Sequence, residues 1–204
     1  MSFLLGLAGR FGKFFALASL LCFVGCAQFS NPSSVRVQEK ETETAALKNR
    51  LTALAPTVSG DEAARLAACG FGYSRELAQE YRVVRPALFQ NLLVNVGIRK
   101  RGLCYQWAED LLAKFQTLNL TTLELHWGMA RAGTFREHNC IVVTARGQPF
   151  KQGIIFDAWR HCGNLTWAPV REDKYPWIEG ELTPATNNVS KIIPRTGLSA
   201  ALPR

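Results

Sequence analysis

The sequence predicts an α+β domain, with helices first and an antiparallel sheet after them. Two observations carry this. Between Ala63 and Leu118 the apolar residues recur at helical spacings, and from Leu123 onward they alternate in twos or fill short runs bounded by turns. The 204 residues, 48% of them hydrophobic, suit one packed domain after allowance for tails. Helices followed by strands favour segregated layers over an alternating parallel sheet.

The first 25 residues lie outside that domain. Arg10 and Lys13 precede an apolar run, Phe14 to Gly25, which is of secretory length and too short for a comfortable membrane span. The run ends in Phe23-Val24-Gly25-Cys26-Ala27, which resembles a bacterial lipobox with Cys26 as the lipidated residue. Phe23 stands where Leu is usual. Cleavage after Ala27 and an uncleaved anchor are the rival readings, and all three place the remainder outside the cytoplasm. A lipidated Cys26 followed by Ala27 resembles the outer-membrane sorting pattern, which implies a lipid-anchored protein facing the periplasm. Cleavage before Cys26 removes two of the 24 basic residues and none of the 16 acidic ones, leaving a net charge of +6. That balance favours anionic surfaces such as phospholipid headgroups or cell-wall polymers. The basic residues are scattered and form no nucleic-acid-binding motif, so no nucleic acid is expected as a partner.

Residues 26–58 read as an anchor and flexible linker, punctuated by Ser30, Asn31, Pro32, Ser33 and Ser34, with weak helical character from Ala45 to Leu54. The domain is expected over 59–182. Ser59-Gly60-Asp61-Glu62 has capping-box spacing and opens a helix. Gly70 and Gly72 are expected to interrupt it, with Ser74 capping a second stretch to Val84. Pro86 suits the first turn of a third helix, with Leu88, Leu92, Leu93 and Val96 as its apolar face and Gly97 as its stop. A fourth begins near Cys104, where Leu103, Trp107, Leu111, Phe115 and Leu118 form the buried stripe. Leu123 to Trp127 alternates with Glu124 and His126 as a half-buried strand. His138–Thr144 and Gly153–Trp159 are apolar enough for central strands, and Leu165–Val170 for another. Residues 183–204 read as a loosely ordered tail.

Three residues on this frame carry chemistry. Cys104 stands at a helix start, where unpaired backbone N–H groups and the positive dipole end favour a thiolate. Arg99, Lys100 and Arg101 add positive charge upstream. His138 and Asp157 follow on successive strands. A turn centred between Gly147 and Gln148 places them opposite each other on one face, about 5 Å apart at Cβ. Cys104 as nucleophile, His138 as base and then acid, and Asp157 as orienter make a triad for acyl transfer. The Cys104 amide is a natural oxyanion donor; the second donor is not identifiable from sequence. A buried structural thiol, a strand-end histidine and a core aspartate are the bland alternatives. His126 reads as a surface strand residue, His161 as the substitute base, Trp107 as core, and Trp159, which shares parity with Asp157, as core or else a shield of the site; Tyr105 and Gln106 border the channel only weakly. Beyond Cys26 the cysteines are Cys69, Cys104, Cys140 and Cys162, without CxxC or zinc spacing, and their pairing is left open. No Asp-rich calcium loop is present, and no cofactor or metal is expected.

These residues resemble the transglutaminase-like branch of the papain-like cysteine enzymes. Gly102-Leu103-Cys104 with its helix resembles that family's Gly-x-Cys start, HNCIVV its His strand and IIFDAW its Asp strand, over roughly 95–160. Residues 86–112 and 136–180 are also similar to a group of uncharacterised bacterial lipoproteins. The resemblance implies a cysteine hydrolase or acyltransferase, protease or amidase, acting on amide bonds of protein or cell-wall peptide. The alternative is a non-catalytic envelope lipoprotein using the fold as a binding scaffold. A peptidoglycan peptidase of the other Cys/His class is disfavoured by the Asp in the strand after the His.

Overall fold

The structure is a computed structural model that describes residues 32–182, with side chains from Gln38 onward. Met1–Gln38 and Glu39–Arg204 form two units, and the fold and site below belong to the second. The readings on residues 1–25, on Cys26 and on the 183–204 tail lie outside the described residues. Four helices, α1 (Pro32–Thr52), α2 (Gly60–Glu80), α3 (Ala87–Asn95) and α4 (Cys104–Gln116), precede five strands: β1 (Leu123–Ala130), β2 (His138–Ala145), β3 (Ile154–Asp157), β4 (Thr166–Pro169) and β5 (Ile178–Gly180). The sheet runs β4-β3-β2-β1-β5 with every pair antiparallel, which is the α+β class the periodicity predicts. Among the described residues no helix is long and apolar enough to cross a membrane.

The expected linker is helical over much of its length. Leu47 and Leu51, four residues apart on one face of α1, are fully buried in the core, so this part of the segment is structural. α2 is likewise one helix where a break at Gly70 was expected. A Cβ on Gly70 would lie 3.0 Å from Phe156, so this glycine serves helix–sheet approach. Ser74, expected as a cap, bonds back through its hydroxyl to the Gly70 carbonyl at 2.6 Å. Ser59 does cap α2, accepting from the Glu62 N–H at 3.3 Å. The other half of the box is different. Glu62 reaches away to the backbone N–H and hydroxyl groups of Thr121 and Thr122 at 2.6–2.9 Å, tying α2 to the turn that enters β1.

β2 is the central strand and all eight of its residues are buried. Its Ile141 and Val143 face the core built on α1, α2 and α4 with Leu66, Phe71, Trp107, Leu111 and Phe115. Cys140 and Val142 face a second cluster with Phe150, Ile155, Val170 and Trp177. The sheet is therefore covered on both sides. α3 departs from expectation most. Of its expected apolar face, Leu88, Leu92 and Val96 are exposed and Leu93 is half-buried, whereas Ala87 and Gln90 are buried. Gln90 explains the orientation: it accepts from the Val84 N–H at 3.0 Å and donates to the carbonyls of Arg101 at 3.0 Å and Tyr81 at 3.4 Å. A buried amide with three backbone partners outweighs one apolar face that finds no groove.

Candidate active site

The turn entering α4 is built before the thiol is placed. Gly102 has φ +137°, and a Cβ there would fall 2.7 Å from the Gln90 side chain. Only glycine fits both demands. Gln106 folds back so that its Oε1 accepts from the N–H groups of Gly102 and Leu103 at 2.8 and 3.0 Å, and Trp107 Nε1 donates to the Gly102 carbonyl at 3.1 Å. Gln106, read as a channel residue, is a buried brace instead. Cys104 then opens α4, half-buried, with no side-chain cap at Leu103 ahead of it. The first-turn N–H groups of a helix lack intrahelical acceptors and point toward its start. Arg101 is not free to add its charge here: it is paired with Asp110 at 2.7 Å, and Asp110 also bonds the Tyr81 hydroxyl.

His138 is the first residue of β2 and Asp157 the last of β3, and their side chains meet. His138 Nε2 lies 2.7 Å from Asp157 Oδ2, with exposures of 3% and 1% for the two residues. The register that was expected to bring them together is off by two. Ile141 pairs with Phe156 and Val142 with Ile155, which sets Asp157 opposite Cys140 and one diagonal step from His138. The connection is longer than a tight turn because Phe150–Gln152 forms a 3₁₀ turn. A slip of two preserves the face, and a diagonal pair remains within reach of long side chains.

With Nε2 taken by Asp157, Nδ1 is the nitrogen left for the thiol. It is buried and makes no conventional hydrogen bond, while the Cys104 sulfur lies 3.7 Å from the Glu137 carbonyl. Burial alone lowers the proton affinity of His138; the hydrogen bond to Asp157, with the Asp157 charge and the neighbouring Cys104 sulfur, reverses this and raises its pKa to about 9. Asp157 is held below the ordinary carboxylate range against a burial that opposes it, because His138 and Arg160 both stabilise its charge. Burial pushes up the thiols of Cys69, Cys140 and Cys162. All four described cysteines are free.

Several residues of the site were not singled out in the sequence. Arg160 donates to Asp157 from its backbone N–H at 3.1 Å and from Nε at 3.0 Å, and its far end bonds Asp173 at 2.7 Å. The i,i+3 spacing of Asp157 and Arg160 in a strand-end turn is the signal that could have found it. Trp159, which sequence parity with Asp157 allowed as a shield of the site, and Tyr175 and Trp177, which were not singled out, ring the imidazole at centroid distances of 4.7, 4.9 and 5.3 Å. Asn139 faces the other side of β2. Its Oδ1 accepts from Trp127 Nε1 at 3.0 Å; because an indole only donates, this fixes which end of the amide turns toward Cys104, with Nδ2 4.0 Å from the sulfur. His126 is bound to Glu179 and Thr144, and His161 to Thr166, so neither joins the site. Trp107 is core, as expected. Among the described residues no group of three or more His, Cys, Asp or Glu could hold a metal ion.

No family model, curated protein or solved structure matches the chain.

Proposed function

We propose that the chain is a cysteine hydrolase or acyltransferase of the transglutaminase-like, papain-like kind, acting on amide bonds. The observation that carries the reading is His138, a buried imidazole bonded through Nε2 to Asp157 and left with Nδ1 for Cys104. With the His138 pKa raised, the proton that Cys104 gives up already rests on Nδ1, and the sulfur attacks a carbonyl carbon as the thiolate. The resulting oxyanion takes hydrogen bonds from the Cys104 N–H and from Asn139 Nδ2, the second donor that sequence left open. Nδ1–H then protonates the leaving amine as the C–N bond breaks, leaving a thioester on Cys104. Water or an amine attacks the thioester, gives its proton to Nδ1 and releases the sulfur as the thiolate, which returns the site to its starting state. Asp157, itself held by Arg160, keeps the imidazole in the tautomer and orientation these steps need.

The substrate is proposed to be a protein or cell-wall peptide. The site is proposed to stand at the cell envelope on a lipid-bearing Cys26, at the outer membrane facing the periplasm; labelling with radioactive palmitate that Cys26→Ala abolishes would support the anchor. For the chemistry, the full chain is treated with iodoacetamide at neutral pH and the modified cysteines are mapped. Among the four described cysteines Cys104 should react first, because burial raises the other three thiols. His138→Gln, checked for folding by circular dichroism, should slow Cys104 by about 10²-fold. Equal, slow labelling of every cysteine would overturn the enzyme reading and favour a binding scaffold.

A further inference from the structure

α3 sits with its apolar side outward. Leu88 is 70% exposed, Leu92 53%, Val96 58% and Ile98 61%, with Phe89 beside them. Leu88, Leu92 and Val96 are four residues apart and share one side of the helix and its cap. A contiguous apolar patch of this kind marks a contact surface.

The surrounding charge says what the contact is. Between Glu80 and Glu109 the chain carries Arg82, Arg85, Arg99, Lys100 and Arg101 and no acidic residue. Arg101 is held by Asp110, but none of the other four is ion-paired among the described residues, and Arg82, Arg85 and Lys100 are exposed. A second copy docking by the same face would bring these cations against themselves, which disfavours a symmetric dimer. An anionic bilayer satisfies both features at once. The apolar ridge enters the headgroup–acyl boundary, and each unpaired Lys or Arg gains from the negative surface potential. We propose that α3 is an interfacial helix that seats this domain on an anionic phospholipid surface.

The inner side of the same helix supports the site. Gln90 braces the turn before Cys104, and Asn91 Oδ1 accepts from Trp159 Nε1 at 2.9 Å, the ring that packs at a tilt against His138. Docking therefore places the Cys104 turn about one helix diameter, ~10 Å, from the lipid. The proposal stands independently of the thiol chemistry and of any lipid on Cys26.

The test is local, because the apolar N-terminal run could itself attach the full chain to vesicles. Amide hydrogen exchange is followed by mass spectrometry in peptides covering residues 81–99 of the full chain. It is measured without lipid, with phosphatidylcholine vesicles, and with equimolar phosphatidylglycerol–phosphatidylcholine vesicles. Exchange should slow about tenfold with the anionic vesicles alone and recover at high salt. The double variant Leu88→Gln, Leu92→Gln should lose that protection while keeping its circular dichroism, since both side chains are exposed. Unchanged exchange with anionic vesicles would overturn the proposal, as would equal protection by both lipids. Protection that grows with protein concentration in the absence of lipid would replace it with self-association.

Discussion

At the scale of single residues, the site is a set of side chains whose second partners decide what they do. Asn139 turns its Nδ2 toward Cys104 and Glu137 because Trp127 occupies its oxygen, which is what the proposed oxyanion role rests on. Asn139→Ala should therefore lower acylation of Cys104 by p-nitrophenyl acetate about 10²-fold, the usual loss for one oxyanion donor, while leaving thermal stability far less affected. Trp127→Phe should reproduce part of that loss by freeing the amide to flip. His138 makes a pH prediction of definite sign. Its folded pKa, about 9, lies above the ordinary 6.5, so its pairing stabilises the fold fully below about pH 6.5, and that contribution fades as pH rises through about 9. The melting-temperature gap between the wild type and His138→Gln should narrow across that window. A gap independent of pH would show that the imidazolium contributes nothing.

At the scale of elements, connections between helices and strands do more than the elements themselves. Gly102 and Gln90 form an interlocked turn, and Gly102→Ala combines a strained φ with a collision against a side chain pinned by three hydrogen bonds. We expect it to cost about 1–3 kcal/mol in chemical denaturation and to slow alkylation of Cys104 as the helix start shifts. Glu62 performs the corresponding task between α2 and β1. Its carboxyl pKa is lowered to about 2: burial opposes the charge, but the hydrogen bonds from Thr121 and Thr122 outweigh it. That stability is present above about pH 4.5 and lost as pH falls toward 2. Glu62→Ala should destabilise by about 2–3 kcal/mol near pH 7 and by much less at pH 3. The elements themselves were legible because period and cap chemistry are local: α4, β2 and the Ser59 cap stand where the pattern puts them. Gly70 was misread because close helix–sheet approach leaves no trace in one strand of sequence, and the α3 face because Gln90's three acceptors and donors lie in other segments.

At the scale of the whole molecule, the sheet is buried on both faces and α1 closes one of them. The expected boundary at Ser59 fails on this account. A domain cut there would lose Leu47 and Leu51, and Leu51→Ala alone should cost about 2–5 kcal/mol as judged by urea unfolding. Sequence showed only the weak helical character of Ala45 to Leu54 and not its burial, since two leucines in a charged segment carry little signal until a core is seen to receive them. The proposed triad was legible as three residue types in order, and the shared face of His138 and Asp157 survived the register error because the slip was even. Of its aromatic surroundings only Trp159, which shares parity with Asp157, was legible; Tyr175 and Trp177 come from a segment that only the finished fold brings to His138. That enclosure has an optical consequence. A protonated imidazole quenches a nearby indole, and two of the five tryptophans lie within ring contact of this one. The protein thus carries its own reporter: emission should brighten as pH rises through about 9 in the wild type and stay level in His138→Gln, giving the protonation state of the site without label or substrate.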